Sequence, residues 1–135
     1  MRNRKLQITN PKQTKSTKNQ NPKQYDLEGR TLDFAKGVIE FVKTLPKNAA
    51  NAEITKQVIR SSGSVGANYI EANESLSKKD FAMRIKICRK ESKETSYWLK
   101  LAEVTNPSGE NKRGVLIGEA MQLTKIFSSI AEKSK

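Results

Sequence analysis

Ser61-Ser62-Gly63-Ser64-Val65-Gly66 interrupts a stretch otherwise patterned as a long amphipathic helix. A run of such small side chains makes either a loop or a helix segment that lets a neighbour come unusually close. A glycine in a helix interior costs about 1 kcal/mol relative to alanine. Two of them cost about 2 kcal/mol, a large share of a small domain's stability. The surrounding spacing decides between the readings. Ile54, Val58, Ser61, Val65, Asn68 and Ala72 follow at intervals of 4, 3, 4, 3 and 4, the narrow seam of a coiled-coil-like helix. A loop has no reason to keep that register. The spacing therefore predicts one helix from about Asn51 to Ser75. Ser62, Gly63 and Gly66 then permit a close helix crossing, inside the molecule or between subunits. A phosphate-cradling loop is a third reading, but no Gly-Lys-Ser/Thr follows. A second face, with Ile59, Ser62, Gly63, Gly66 and Ile70, adjoins the seam at 100° per residue, so this helix is expected to have neighbours on two sides. Arg60, Ala67, Glu71 and Glu74 fall on the remaining face.

Outward from this segment the same period recurs. Upstream, Leu32, Ala35, Val38, Ile39, Val42 and Leu45 predict a helix that starts between Asp26 and Thr31 and stops at Pro46. Asn48 or Asn51 is a candidate cap for the next helix. Downstream, Ser77 and Asp80 resemble a capping box. Phe81, Ile85, Cys88, Ser92, Thr95, Leu99 and Ala102 then continue a 4-3 pattern to about Thr105, with Ile87, Glu91 and Trp98 as a flanking stripe. Asn106-Pro107-Ser108-Gly109 reads as a turn. A last helix, about Asn111 to Lys133, carries Leu116, Ala120, Leu123, Phe127 and Ile130. No segment alternates as a strand does. The expected fold is all-α: an antiparallel up-down-up-down four-helix bundle over residues 25–135, behind a disordered basic tail, residues 1–24.

The 135 residues carry a net charge of +12, distributed unevenly. Arg2, Arg4, Lys5, Lys12, Lys15, Lys18 and Lys23 give the tail seven positive charges and no acid, leaving 19 bases against 14 acids in the remainder. The tail has too few apolar residues to order itself. It is either a nucleic-acid-contacting arm or a solubilising extension. No run of apolar residues is long enough to span a membrane, and the basic N-terminus lacks the apolar core of a signal peptide. One cysteine allows no internal disulfide and fits the cytoplasm.

The catalytic inventory is poor. Without histidine there is no Cys-His pair, Ser-His-Asp triad or histidine-containing zinc site. Asn68, Glu71, Arg84, Glu91 and Glu94 lie on or beside apolar faces and suggest a buried polar network. Paired carboxylates also serve acid–base chemistry and metals. The structural alternative is ion pairing within one helix, such as Arg84–Asp80 and Lys90–Glu94. Di-metal bundles rely on Glu-x-x-His motifs, which this chain lacks. Cys88, on the seam, reads as an inert core thiol rather than a nucleophile. No catalytic residue, metal site or cofactor is therefore expected.

Lys79, Lys86, Lys90, Lys93 and Lys100 fall within about 80° of helical arc, opposite the Phe81–Leu99 seam, with Tyr97 among them. Such a stripe is either an ordinary solvated face or a phosphate-backbone contact. Lysines at this spacing neutralise phosphates but read no bases. Arg2, Arg4 and Lys5 of the tail extend the candidate nucleic-acid-binding set.

Three stretches carry a family resemblance. They are Tyr25-Asp26-Leu27-Glu28; Ile59 to Ala72, reading IRSSGSVGANYIEA; and Arg84 to Thr95, reading RIKICRKESKET, followed by Tyr97-Trp98-Leu99. Together they resemble the four-helix bundle proteins first noticed as products of intervening sequences in bacterial 23S rRNA genes, over roughly residues 25–131. The resemblance implies a left-handed antiparallel bundle, assembly into a ring-like homopentamer, and no established enzymatic activity. A relative of that family, the accessory protein of diversity-generating retroelements, binds nucleic acid and a reverse transcriptase. By analogy the resemblance implies RNA or DNA, or a protein such as a reverse transcriptase, as partners here. The family's frequent Asn and Glu of the second helix match Asn68 and Glu71, and its third-helix glutamate matches Glu94.

Overall fold

The computed structural model describes residues 26–135. The tail, with Arg2, Arg4 and Lys5, and Tyr25 lie outside the described residues. Four helices follow: α1 (Leu27–Val42), α2 (Ala49–Asn73), α3 (Lys78–Leu101) and α4 (Pro107–Lys133). Successive helices pack side by side and α1 closes the ring against α4, while among the described residues the diagonal pairs make no close backbone approach. Across the α2–α4 diagonal the rings of Tyr69 and Phe127 meet at 5.8 Å between centres. Cross-helix partners run in opposite directions along the chain. Ser61 meets Thr95 while Asn68 meets Arg84, and Thr31 meets Gly66 while Asn73 meets Glu28. This is the antiparallel up-down-up-down bundle.

Helix α2 passes through Ser61–Gly66 without a break. Its N-cap is Asn48, whose side chain accepts from the Asn51 N–H at 2.8 Å. The 4-3 seam faces the core: Ile54, Val58, Ser61, Val65 and Ala72 are buried. Ser77 caps α3 by accepting from the Asp80 N–H at 3.0 Å. Ile85, Cys88, Ser92, Thr95 and Leu99 are buried beneath it.

Four expectations are corrected. In α1 the buried stripe is Leu27, Thr31, Phe34, Val38 and Phe41, with Leu45 just beyond, whereas Leu32 and Ile39 are exposed. The helix is apolar on two adjoining faces, and the one bearing both phenylalanines turns inward. On the second face of α2, Gly66 meets Thr31 of α1 and Ser62 is buried, while Ile59, Gly63 and Ile70 are exposed. Helix α3 ends at Leu101, not Thr105, because Ala102 leaves the helical region (ψ 137°). Helix α4 begins at Pro107, four residues early. Asn106 caps it by accepting from the Gly109 N–H at 2.7 Å, and proline at the first helical position needs no N–H partner.

Two side chains secure the end of the bundle that holds the α1–α2 and α3–α4 connections. Buried Asn51 donates to the carbonyls of Pro46 at 2.9 Å and Glu103 at 3.1 Å, and accepts from the Glu103 N–H at 2.9 Å. Arg113 of α4 donates to the Ala102 carbonyl at 2.5 Å, satisfying the end of α3. At the opposite end the α2–α3 turn, Phe81 and the last residues of α4 enclose an open cleft of about 440 Å³.

Candidate nucleic-acid interface

Helix α3 sets the site through its two faces. Burial of Ile85, Cys88, Ser92, Thr95 and Leu99 fixes its rotation. The opposite face then carries Lys79, Lys86, Lys90, Lys93, Tyr97 and Lys100, all exposed. Lys79, Lys86, Lys93 and Lys100 recur every seven residues. At 1.5 Å per residue they lie about 10.5 Å apart in a nearly straight row about 32 Å long. Lys90 approaches Glu91 at 3.4 Å; this ammonium is otherwise exposed, so the pair is weak and screened.

Beside this face, polar side chains join α2 to α3. Arg60 donates to Glu91 at 3.3 Å and also binds Glu94. The Trp98 indole N–H donates to the same Glu94 oxygen at 2.8 Å. The rings of Tyr97 and Trp98 make an edge-type contact, 5.1 Å between ring centres, with planes 72° apart. One turn and more away, Arg84 donates to Asn68 at 2.9 Å, and Asn68 donates to Ser64. Asn68 is half-buried on the α3-facing flank, not on the seam. Of the five polar residues singled out in sequence, four thus fall into two separate bridges. The fifth, Glu71, is exposed and joins neither. The pairs Arg84–Asp80 and Lys90–Glu94 do not form, because Arg84 and Glu94 turn to α2 instead. Arg60, placed by periodicity on an unengaged face, is the residue that sequence reasoning missed. Its role depends on the relative register of two antiparallel helices, which no single-helix pattern encodes.

The small residues divide. A Cβ on Gly66 would stand 2.9 Å from Thr31 Oγ1 and 3.3 Å from Thr31 Cβ, so the absent side chain is what lets α1 approach. Ser62 is buried next to it. Among the described residues, a Cβ at Gly63 would meet nothing within 4 Å, and no neighbour there requires that glycine.

Cys88 is buried, its thiol donating to the Val65 carbonyl at 3.4 Å. Burial pushes its pKa from 9.0 up to about 12, so no thiolate is present near neutrality. Among the described residues, no group of three or more Cys, Asp or Glu could hold a metal ion, and no helix is long and apolar enough to cross a membrane. The end cleft is lined by Lys78, Lys133 and Lys135 together with Ser75, Ser77 and the almost fully exposed Leu76. The cleft's positive charge adjoins Lys79 at the start of the α3 row.

No curated protein matches the chain. A solved structure of a protein with unknown function from the S23 ribosomal protein family of Bacteroides thetaiotaomicron VPI-5482 is 28% identical. The match covers 78% of this chain and 97% of that one, with a TM-score of 0.65. A family model described as "23S rRNA-intervening sequence protein" matches residues 23–129. That match spans all of the bundle but its last few residues, including the α2 small-residue run and the α3 lysine face, and the chain belongs to the family of 23S rRNA-intervening sequence proteins.

Proposed function

We propose that this protein is a non-enzymatic, self-associating nucleic-acid-binding protein whose favoured ligand is structured RNA. The observation that carries this reading is the layout of charge on α3, with five exposed lysines and an exposed tyrosine on one face. Phosphate contacts by lysine supply affinity without sequence selectivity. The names of the family and of the structural neighbour, which refer to 23S rRNA and to ribosomal proteins, support RNA over DNA. The seven bases of the tail add sequence-borne charge outside the described residues. Glu91 and Glu94, the carboxylates closest to a catalytic pair, are engaged by Arg60 and Trp98, which supports a role without catalysis.

Self-association, as the homopentamer that the sequence resemblance implies, would turn weak contacts into avidity. Leu32 and Ile39 on α1, with Ile59 and Ile70 on α2, support it. The 100° rule places all four on the outer lips of the α1–α2 groove, and all are exposed. The same groove supports a second reading, a protein-interaction scaffold in which the charge only solubilises.

Binding to a folded RNA and to duplex DNA across a salt series separates these readings, using the full chain, a chain lacking residues 1–24, and the double variant Lys86→Glu, Lys93→Glu. The nucleic-acid reading expects affinity that falls steeply with salt and drops at least tenfold in the double variant. Absence of binding at low salt, or binding indifferent to salt, sinks it. A protein partner that stays associated after nuclease treatment favours the scaffold.

A further inference from the structure

We propose that the outer face of α3 holds an unpaired nucleic-acid strand, with phosphates along Lys79, Lys86, Lys93 and Lys100 and a base stacked on Tyr97. The inference rests on the nucleic-acid reading above and specifies the ligand of that same face.

Two features of the face carry it. The first is shape. The heptad lysines form a straight row of about 32 Å. The strands of a duplex wind around their axis, so a straight ridge meets each strand only where it crosses. An extended single strand follows the ridge for its whole length, with a lysine for roughly every second phosphate. The second feature is segregation. Next to the lysine row runs a parallel one, also seven residues apart: Met83, Lys90 and Tyr97, with Leu101 one turn on. Met83, Tyr97 and Leu101 are exposed. Lys90 interrupts the second row, so the separation is partial. The first row is all lysine, and the exposed apolar side chains Met83, Tyr97 and Leu101 lie on the other side, where they offer surface to the bases of a strand whose phosphates follow the lysines. Sequence-tolerant recognition of single strands combines these two elements, a charged track and an aromatic platform.

Tyr97 is also held in place. The residue is 57% exposed, and its ring packs against that of Trp98. Trp98 is tied to Glu94 through its indole N–H, and Glu94 is bound by Arg60 across the helix pair. A platform braced from α2 loses less side-chain freedom when a base stacks on it. In structured RNA the natural ligands are loops, bulges and ends, where bases are free to stack.

The bracing supplies a built-in probe, because Trp98 is the only tryptophan. The full chain is titrated with oligouridine of about 12 nucleotides and with an RNA duplex of matching length, at about 50 mM and about 200 mM salt. The expected result is at least about tenfold tighter binding of oligouridine and a change in Trp98 fluorescence that the duplex does not produce. Tyr97→Ala should weaken oligouridine binding about tenfold or more without altering duplex binding or melting temperature, and Tyr97→Phe should restore it. Both variants keep the tail and the lysines, so the difference isolates the stack. Equal affinity for the duplex, or oligouridine binding insensitive to Tyr97→Ala, overturns the inference and leaves the nucleic-acid reading standing. Failure of both RNAs to bind at low salt overturns that reading itself.

Discussion

Helix α2 meets its two neighbours by opposite means. Toward α1 it offers missing side chains: Gly66 leaves Thr31 room, and the Thr31 hydroxyl donates inward to its own helix, to the Leu27 and Glu28 carbonyls. Toward α3 it offers polar groups: Ser61 accepts from Thr95 at 2.8 Å, Asn68 takes Arg84, and Arg60 reaches two glutamates. The first contact is sensitive to added volume, the second to a lost partner. Small and polar residues on α2 therefore supplement the apolar seam of Ile54, Val58 and Val65 at its two flanks.

Four substitutions probe that contrast. The largest effect is expected for Gly66→Leu, which drives a side chain into the space of Thr31. Overpacking and disruption of the Thr31 bonds should cost about 3 kcal/mol, a fall of roughly 12 °C or more in Tm by thermal denaturation. An unchanged Tm breaks the close-packing account. Next is Arg60→Ala, which leaves the buried Glu91 carboxylate with Lys90 as its one remaining cationic partner among the described residues. Because Arg60 is itself half exposed, the expected loss is about 1–2 kcal/mol, below that of a fully buried pair. A shifted Trp98 emission should accompany it as Glu94 is released.

The third test uses the thiol that donates to Val65. The folded pKa of Cys88 lies above its ordinary 9.0, at about 12, so the folded state retains a proton that the unfolded state releases. The stabilisation is complete below pH 9 and is lost between about pH 9 and 12, with a slope of about 1.4 kcal/mol per pH unit from this group. In denaturant titrations Cys88→Ala should show a shallower alkaline loss than the parent chain; identical slopes contradict the assignment. The smallest effect is expected for Gly63→Ala, which should stabilise the folded chain by about 0.5–1 kcal/mol, since its Cβ meets open space. Destabilisation there, in a concentration-dependent melt, would place Gly63 at a contact between copies.

The seams of α2 and α3 were legible because a buried stripe repeats along one helix, and the lysine face was legible as their complement. What sequence concealed depends on relations between helices. Leu32 and Ile39 compete with Phe34 and Phe41 as the inner face of α1, and both sets keep helical spacing. Which set turns inward depends on neighbours, among them Glu119 of α4, which binds Arg30 at 2.7 and 2.9 Å. Arg60 acquires its partners only through the register of α2 against α3. The end of α3 bears no local stop signal, because Arg113 and Asn51 supply it from elsewhere. At the start of α4, Asn106 and Pro107 are equally good turn residues and helix-initiating residues, and only the continuing chain distinguishes the two.

The placement of Asn51 has a consequence for how the molecule opens. Its amide joins the two connections at one end, and among the described residues no comparable hydrogen bond ties the α2–α3 turn to α4 at the other. Local unfolding follows the weaker boundary. Amide hydrogen exchange should therefore be fastest at the cleft end and slow progressively toward Asn51, giving the bundle a hinged end and a breathing end. The lysine row of α3 begins at the breathing end.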